Sequence, residues 1–349
     1  MQRVLDPAQI EAFAQRAIPR IRLPDPARVF AKRAQRLRRL SEGHAIGDYL
    51  RLMAALAEAQ QSVLSSRVIQ RRSSTGAAVG EFGVGNEERL RLAREHGMPP
   101  LQASAWSRDE GWRKVLHELC GALGSAPGYP EGVAKVCGEI QAMLNAAGAQ
   151  TPPRATTGSP VGLPTAPLEV QADLLLGATT AQDSSTQSAA SINPSMAPFI
   201  MAALQVHWIA MLASLDYDQI AQHIGGVEAP GVCPVCGTLP VASVVSADKA
   251  YQGYRYLHCA LCATEWHMVR IKCSHCESTE GIQYHSIEGG SMAIRAEACD
   301  QCKTYRKICY QEQDQNVEPV ADDLASLGLD LLMSEEGFQR ASGNPLLWQ

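Results

Sequence analysis

Apolar positions change their spacing once along this chain. Up to about residue 225 they recur at steps of three and four, the period of a helix with one buried face; beyond it they fall in short alternating runs between cysteine pairs. Asp25-Pro26 offers an N-cap followed by a proline in the first turn and Gly43 a stop, so 26–42 reads as a helix. Ile46, Tyr49, Leu50, Met53, Leu56, Val63 and Leu64 mark a long amphipathic helix over 45–66. Further helices are expected at 108–122, 130–147, 167–178, 195–214 and 216–224, with a proline-rich loop at 150–166. Strands are expected at 240–246, 251–258, 266–272, 281–287, 292–298 and 305–311. The chain returns to helix from Pro319 to Glu336, with Leu324, Leu327, Leu331 and Leu332 on one face and Gly337 as a cap.

The strand-rich part carries the chemistry. Cys233-Pro-Val-Cys236-Gly and Cys259-Ala-Leu-Cys262 are separated by 22 residues, as are Cys273-Ser-His-Cys276 and Cys299-Asp-Gln-Cys302. Every member of the first set recurs 40 positions later, and Arg255 and Arg295 keep the same register. A repeat of that regularity implies two similar units. Two residues between cysteines let a tight turn aim both thiolates at one ion, with turn amides free to donate to the sulfurs. Each repeat therefore resembles a zinc ribbon or rubredoxin-type module holding one metal ion on Cys233, Cys236, Cys259 and Cys262, or on Cys273, Cys276, Cys299 and Cys302. Sequential pairing is the simpler arrangement, although the spacing also permits a cross-brace. Four thiolates accept zinc or iron alike. His258, His267 and His275 lie nearby but are not needed where four sulfurs are present, and Cys309, Cys120 and Cys137 read as buried thiols.

Other features narrow the function by exclusion. Glycine-rich 73–86 lacks Gly-Lys-Ser/Thr and a feeding strand, so it is read as a connection, not a phosphate loop. Met196 to Ala213 has the length of a short membrane span, but Gln205 and His207 at its middle and the absence of basic flanks favour a buried helix, with no membrane insertion. Residues 233–310 hold eight Lys/Arg against seven Asp/Glu, a weak footprint for nucleic acid. No catalytic constellation stands out. Glu265, Trp266 and His267 alternate faces of a strand, and Asp322-Asp323 suits the first turn of a helix.

The formal net charge of -5 conceals a gradient. Residues 1–40 carry ten Arg/Lys against three acids, and residues 311–349 one Arg against eight, so the two ends are expected to pack together or to face a partner. The opening Met-Gln-Arg-Val-Leu-Asp-Pro lacks a secretory pattern, which makes the cytoplasm the expected compartment and metal, not disulfides, the expected use of eleven cysteines.

The expected fold class is α+β and multidomain: a mainly helical N-terminal domain (1–225), two tandem rubredoxin-like or zinc-ribbon β modules (226–272 and 273–318), and a C-terminal helix and tail (319–349).

Cys233-Pro-Val-Cys236-Gly, Leu257-His-Cys-Ala-Leu-Cys-Ala-Thr-Glu-Trp-His-Met-Val-Arg-Ile-Lys-Cys273, Ala296-Glu-Ala-Cys-Asp-Gln-Cys302, Ala321-Asp-Asp-Leu-Ala-Ser-Leu-Gly-Leu-Asp-Leu-Leu-Met333 and the earlier Leu23-Pro-Asp-Pro resemble the bacterial formate dehydrogenase accessory proteins called FdhE. The resemblance implies a non-enzymatic cytoplasmic maturation factor that contacts the formate dehydrogenase catalytic subunit during assembly. It also implies two iron ions, one per four-cysteine site, with zinc as the alternative. A rubredoxin-like electron-transfer protein is the competing reading.

Overall fold

A computed structural model of the chain describes residues 20–73, 86–105, 108, 110–125, 129–148, 166–178, 192–215, 231–249 and 251–348. All but the two end residues of the expected connection at 73–86, nearly all of the loop at 150–166, and the helix at 216–224 lie outside the described residues. The elements are β1 (Ile21–Arg22), α1 (Val29–Leu40), α2 (Gly47–Ser73), α3 (Asn86–Glu95), α4 (Gly111–Gly124), α5 (Glu131–Gly148), α6 (Ala166–Ala178) and α7 (Ala197–Leu212). They continue as β2 (Pro240–Val245), β3 (Arg255–Cys259), β4 (Glu265–Met268), β5 (Ile282–His285), β6 (Ile294–Cys299), β7 (Thr304–Tyr310), α8 (Pro319–Ala325), α9 (Leu327–Glu335) and β8 (Gln339–Arg340).

Helix α7 is the axis of the helical body. All of its residues are buried, and α2, α4 and α6 pack against it. Among the described residues no helix is long and apolar enough to cross a membrane. Gln205, the polar residue that argued against a span, makes the central hydrogen bonds. Its Oε1 accepts from Gln60 Nε2 (3.0 Å) and Arg33 Nη1 (3.3 Å), and its Nε2 donates to the Ala260 carbonyl (2.7 Å) in the first cysteine ribbon. One amide thus satisfies a buried guanidinium, a second amide and a turn carbonyl, groups that would each be costly to bury alone.

The charge gradient resolves into contact between the two ends. Arg33 on α1 donates to Glu318 Oε1 (3.0 Å), and Arg36 forks onto Asp322 (2.6 to 3.1 Å) while reaching Asp314 Oδ2 (2.7 Å). Glu318 is the N-cap of α8, its Oε2 accepting from the Ala321 amide (2.7 Å), so the partner of Arg33 also starts the acidic helix. Asp323 is enclosed by Arg340, Asn344 and the Lys307 ammonium. Burial pushes the Asp322 and Asp323 carboxyls up, and the outcome differs between them. Arg340 and Lys307 together hold Asp323 below the ordinary range, whereas the pull of Arg36 on Asp322 does not overcome burial. The aspartates do more than favour a helix dipole: they are where α1, β7 and the tail are tied.

Among the described residues the strands form one eight-stranded sheet, β1-β4-β3-β2-β7-β6-β5, with β8 also on β7. Each ribbon supplies an antiparallel meander, and the two are joined by parallel pairing of β2 with β7 (Ser243↔Ile308 to Val245↔Tyr310). Strand β8 continues that edge along the start of β7 (Thr304↔Gln339). The Arg255–Glu297 pair (2.6 Å), with neither side chain more than 3% exposed, crosses the junction, and Arg255 Nη1 donates to the Lys272 carbonyl (2.9 Å). Its register mate Arg295 instead lies over the Tyr310 ring. The first ribbon shares the core of the helical body, whereas β6 and β7 form a second core with Leu329, Met333 and Phe338; Cys309 belongs to it.

Besides shifts at element ends, such as a strand starting at Arg255 where 251–258 is expected and one ending at Met268 where 266–272 is expected, three features depart from the sequence reading. Helix α3 replaces unassigned chain and carries ion pairs of Arg91 with Glu88 and Glu95 on its surface. Strands β1 and β8 are two residues each. The expected helix 319–336 is broken at Ser326, where the serine hydroxyl donates to the Asp322 carbonyl (2.7 Å) and Lys307 Nζ donates to the Asp323 and Ser326 carbonyls (2.8 and 3.0 Å). Side chains there satisfy carbonyls that a continuous helix would have used.

All four cysteine turns share a backbone device. The residue after the second cysteine has positive φ in each: Gly237 (74°), Ala263 (55°), Glu277 (62°) and Lys303 (53°). This conformation lets the chain reverse beneath the sulfurs. Glycine adopts it freely; the other three carry strain of about 1–2 kcal/mol each.

Two measurements test these arrangements. Replacing Arg36 by Ala leaves Asp322 buried without its partner and is expected to cost about 3–5 kcal/mol in urea denaturation, while Arg36→Met combined with Asp322→Leu costs much less. Gly237→Ala, whose new Cβ meets Pro99 only at ordinary contact distance (3.5 Å), is expected to destabilise through strain. That loss should be about 1 kcal/mol, and Glu277→Gly should be neutral or stabilising by a few tenths.

Candidate metal centres

The folding of each ribbon brings its own four sulfurs together. Cys233, Cys236, Cys259 and Cys262 form one group and Cys273, Cys276, Cys299 and Cys302 the other, with all sulfurs in a group within 4.8 Å of one another. The grouping is sequential, not cross-braced. Contacts between turns are 3.6 Å (Cys233–Cys262) and 3.4 Å (Cys236–Cys259) in the first group, and 3.7 Å for both Cys273–Cys302 and Cys276–Cys299 in the second. Sulfurs about 2.3 Å from a tetrahedral ion stand about 3.8 Å apart, so both cages have the size of a four-thiolate site. Either group could hold a metal ion.

The turns prepare the sulfurs chemically. Leu261 and Cys262 amides donate to Cys259 Sγ (both 3.3 Å), and His275 and Cys276 amides to Cys273 Sγ (3.4 and 3.5 Å). These donors spread the negative charge of a thiolate. Burial pushes the Cys233 and Cys262 thiols well above their ordinary range, whereas at Cys259 hydrogen bonds from the neighbouring sulfurs and Thr238 outweigh burial and hold the thiol well below it.

A second set of residues escaped the reading of the sequence. Two positions after the closing cysteine of each turn stands a hydroxyl residue: Thr238, Thr264, Ser278 and Thr304. Three of the four hydroxyls reach sulfur: Thr238 at 3.2 Å from Cys236 and 3.0 Å from Cys259, Thr264 at 3.2 Å from Cys262, Thr304 at 3.0 Å from Cys302. The main-chain carbonyls of Thr238, Thr264 and Ser278 accept from the amides of Cys233, Cys259 and Cys273 (2.8 to 2.9 Å), closing the turns. The fourfold recurrence of Cys-x-Thr/Ser was the available signal.

The histidines stay outside both sulfur groups. His258 Nδ1 pairs with Glu265 Oε1 (3.2 Å), His267 packs edge-on to Tyr254 and Tyr256, and His275 contributes its backbone amide. Trp266 is buried while Glu265 and His267 lie on the other face, so these three do not converge. Cys120 on α4 and Cys137 on α5 are both buried.

Burial divides the two groups. The first is fully enclosed against the helical body; in the second, Cys276 is exposed and Cys302 half-buried.

Comparison with known proteins places this architecture. Family models described as FdhE, N-terminal; FdhE, central domain; and FdhE, C-terminal domain match residues 18–151, 232–270 and 271–347. A protein from Cronobacter sakazakii named Protein FdhE homolog is 39% identical over 349 residues, covering 99% of this chain and 97% of its own. Protein FdhE from Salmonella paratyphi A is 39% identical over 331 residues, covering 95% and 92%. The crystal structure of the FdhE protein from Pseudomonas aeruginosa superposes with a TM-score of 0.70 at 34% identity, over 94% of this chain and 99% of that one. Identity and coverage of this extent, together with the matching fold, show that the chain belongs to the FdhE family.

Proposed function

We propose that the protein is a non-enzymatic accessory factor for formate dehydrogenase that binds the catalytic subunit during its assembly in the cytoplasm. The observation that carries this reading is the pairing of two complete four-sulfur cages with nearly full-length similarity to proteins named FdhE. Cys233, Cys236, Cys259 and Cys262 hold one metal ion and Cys273, Cys276, Cys299 and Cys302 a second; iron is the reading, with zinc as the alternative. A tetrahedral site with four protein sulfurs keeps no position for substrate or water, which supports a role other than metal-assisted hydrolysis. Residues 1–225 are the helical body, 226–272 and 273–318 the two ribbons, and 319–349 the tail that ties them. Bound metal supplies the cohesion that modules of this size lack on their own.

Exposure of Cys276 supports a second reading, electron transfer of the rubredoxin kind, since a sulfur at the surface gives a redox partner a short path. The near balance of positive and negative residues over 233–310 weighs against nucleic acid.

The deciding experiment is affinity capture of the full chain from cells making formate dehydrogenase, with metal analysis under nitrogen. The expected result is two ions per chain and recovery of the catalytic subunit; capture without that subunit overturns the client. A colourless zinc protein that restores enzyme activity removes the electron-transfer reading, and reversible bleaching of a red protein favours it. Thr238→Val keeps the shape of the turn but removes the hydroxyl near Cys236 and Cys259, and is expected to weaken metal retention at the first site roughly 10- to 100-fold in a chelator competition.

A further inference from the structure

The two cages are alike in sulfur geometry and unlike in how they are held. Both turns of the first are clamped by the helical body. Leu101 and Ala103 amides donate to the Val235 and Cys236 carbonyls (both 2.9 Å), Trp208 Nε1 on α7 fixes the Leu101 carbonyl (3.0 Å), and Gln205 holds the Ala260 carbonyl. Opening that cage means separating ribbon from helices. Among the described residues the second cage has a buried side-chain brace on one side only, where Arg306 Nε donates to Ser274 Oγ (2.8 Å). Its other turn is held at the surface, by contacts of Asp300 with Lys303 and Gln283 and by the Gln339 amide of β8 donating to the Lys303 carbonyl (2.8 Å). Cys276 is exposed, and the chain entering this cage leaves Val269 and Ile271 exposed as well, at 60% and 59%. Ile271 is β-branched and has φ 58°, a conformation such residues avoid unless surroundings impose it.

Resting on the reading of both cages as metal sites, we propose that the second is an exchange site, whose ion a thiol-bearing partner segment engages through Cys276, while the first keeps its ion for as long as the protein stays folded. Val269 and Ile271 supply the apolar contact for that segment. The exchange is a substitution without change of oxidation state. An incoming thiol loses its proton and bonds to the divalent ion as the Cys276–metal bond breaks, and the released Cys276 thiolate takes up a proton. Cys302 is replaced next, and the buried Cys273 and Cys299 follow in the same way as the cage opens locally, until the ion has passed over. The enclosed cage admits no such approach, because its sulfurs are at most 1% exposed.

The test uses the full chain loaded with two equivalents of zinc, with release followed by excess 4-(2-pyridylazo)resorcinol. One equivalent is expected to leave at least roughly tenfold faster than the other, because a local opening suffices for it and the other needs a sub-global one. Glutathione should accelerate the fast phase in proportion to its concentration and leave the slow phase unchanged. Cys276→Ser should remove the fast equivalent and spare the slow one. As a readout independent of any variant, alkylation of the wild-type protein with iodoacetamide, mapped by mass spectrometry, should mark Cys276 and Cys302 before Cys233, Cys236, Cys259 or Cys262. Release of both ions in one phase, a fast phase indifferent to glutathione, or simultaneous alkylation of both cages overturns the exchange site and leaves the metal reading standing. A chain that retains neither zinc nor iron overturns both.

Discussion

Gln205 stands where the helical body, the basic helix α1 and the first cysteine ribbon meet, and its amide is the polar contact common to all three. Around it, α7 is apolar and wholly buried. Apolar contact alone is non-directional and would tolerate sliding of ribbon over helix. The amide removes that freedom: its oxygen requires Arg33 and Gln60, and its nitrogen requires the Ala260 carbonyl between two cysteines. A shift of the ribbon would strand the Gln205 amide nitrogen and the Ala260 carbonyl in a dry interior, so position is fixed by the penalty for leaving them unpaired. Arg33 carries the constraint onward to Glu318 and so to α8.

The same logic explains why a charge gradient along the sequence becomes a network of buried pairs. Arginines on α1, the Arg255–Glu297 bridge and Lys307 among three carbonyl or carboxylate groups are each enclosed, and each joins elements far apart in the chain. Such pairs contribute little net stability over well-packed apolar groups, but leaving one partner unpaired is severe. They therefore specify which surfaces meet. One ribbon is fused to the helices and the other rests on its own small core, and the unequal exposure of the two sulfur cages follows from that division.

Much of this was legible in the sequence, for physical reasons that can be named. The helices of the body and the strands between cysteine pairs were found because each buries one face and so leaves a period. The sulfur groupings followed from a register that repeats every 40 residues. Helix α3 went unseen because its surface is organised by Arg91 and its acid neighbours more than by an apolar stripe. Two-residue strands leave no period at all. The break at Ser326 depends on Lys307, which lies on a strand that no local pattern connects to it. A repeat reveals that two units are alike but is silent on how they join, so the parallel β2–β7 seam was beyond reach. The hydroxyl residues beside the sulfurs are visible as a fourfold Cys-x-Thr/Ser motif, but what they do depends on hydrogen bonds to sulfur that spacing alone does not show.

The β2–β7 seam also orders events during synthesis. Ser243 on β2 pairs with Ile308 on β7, so one edge of β2 stays open while the ribosome makes the intervening 64 residues, an interval on the order of several seconds at bacterial rates. An unpaired strand edge during that time is a template for pairing with other nascent chains. The seal comes later still, when Arg306 and Ser342 both grip the Pro240 carbonyl, Asn344 reaches back to Val320, and β8 occupies the rest of the edge. A protein read as a guardian of another chain's assembly thus passes through a vulnerable open stage of its own, and segment 339–348 ends it.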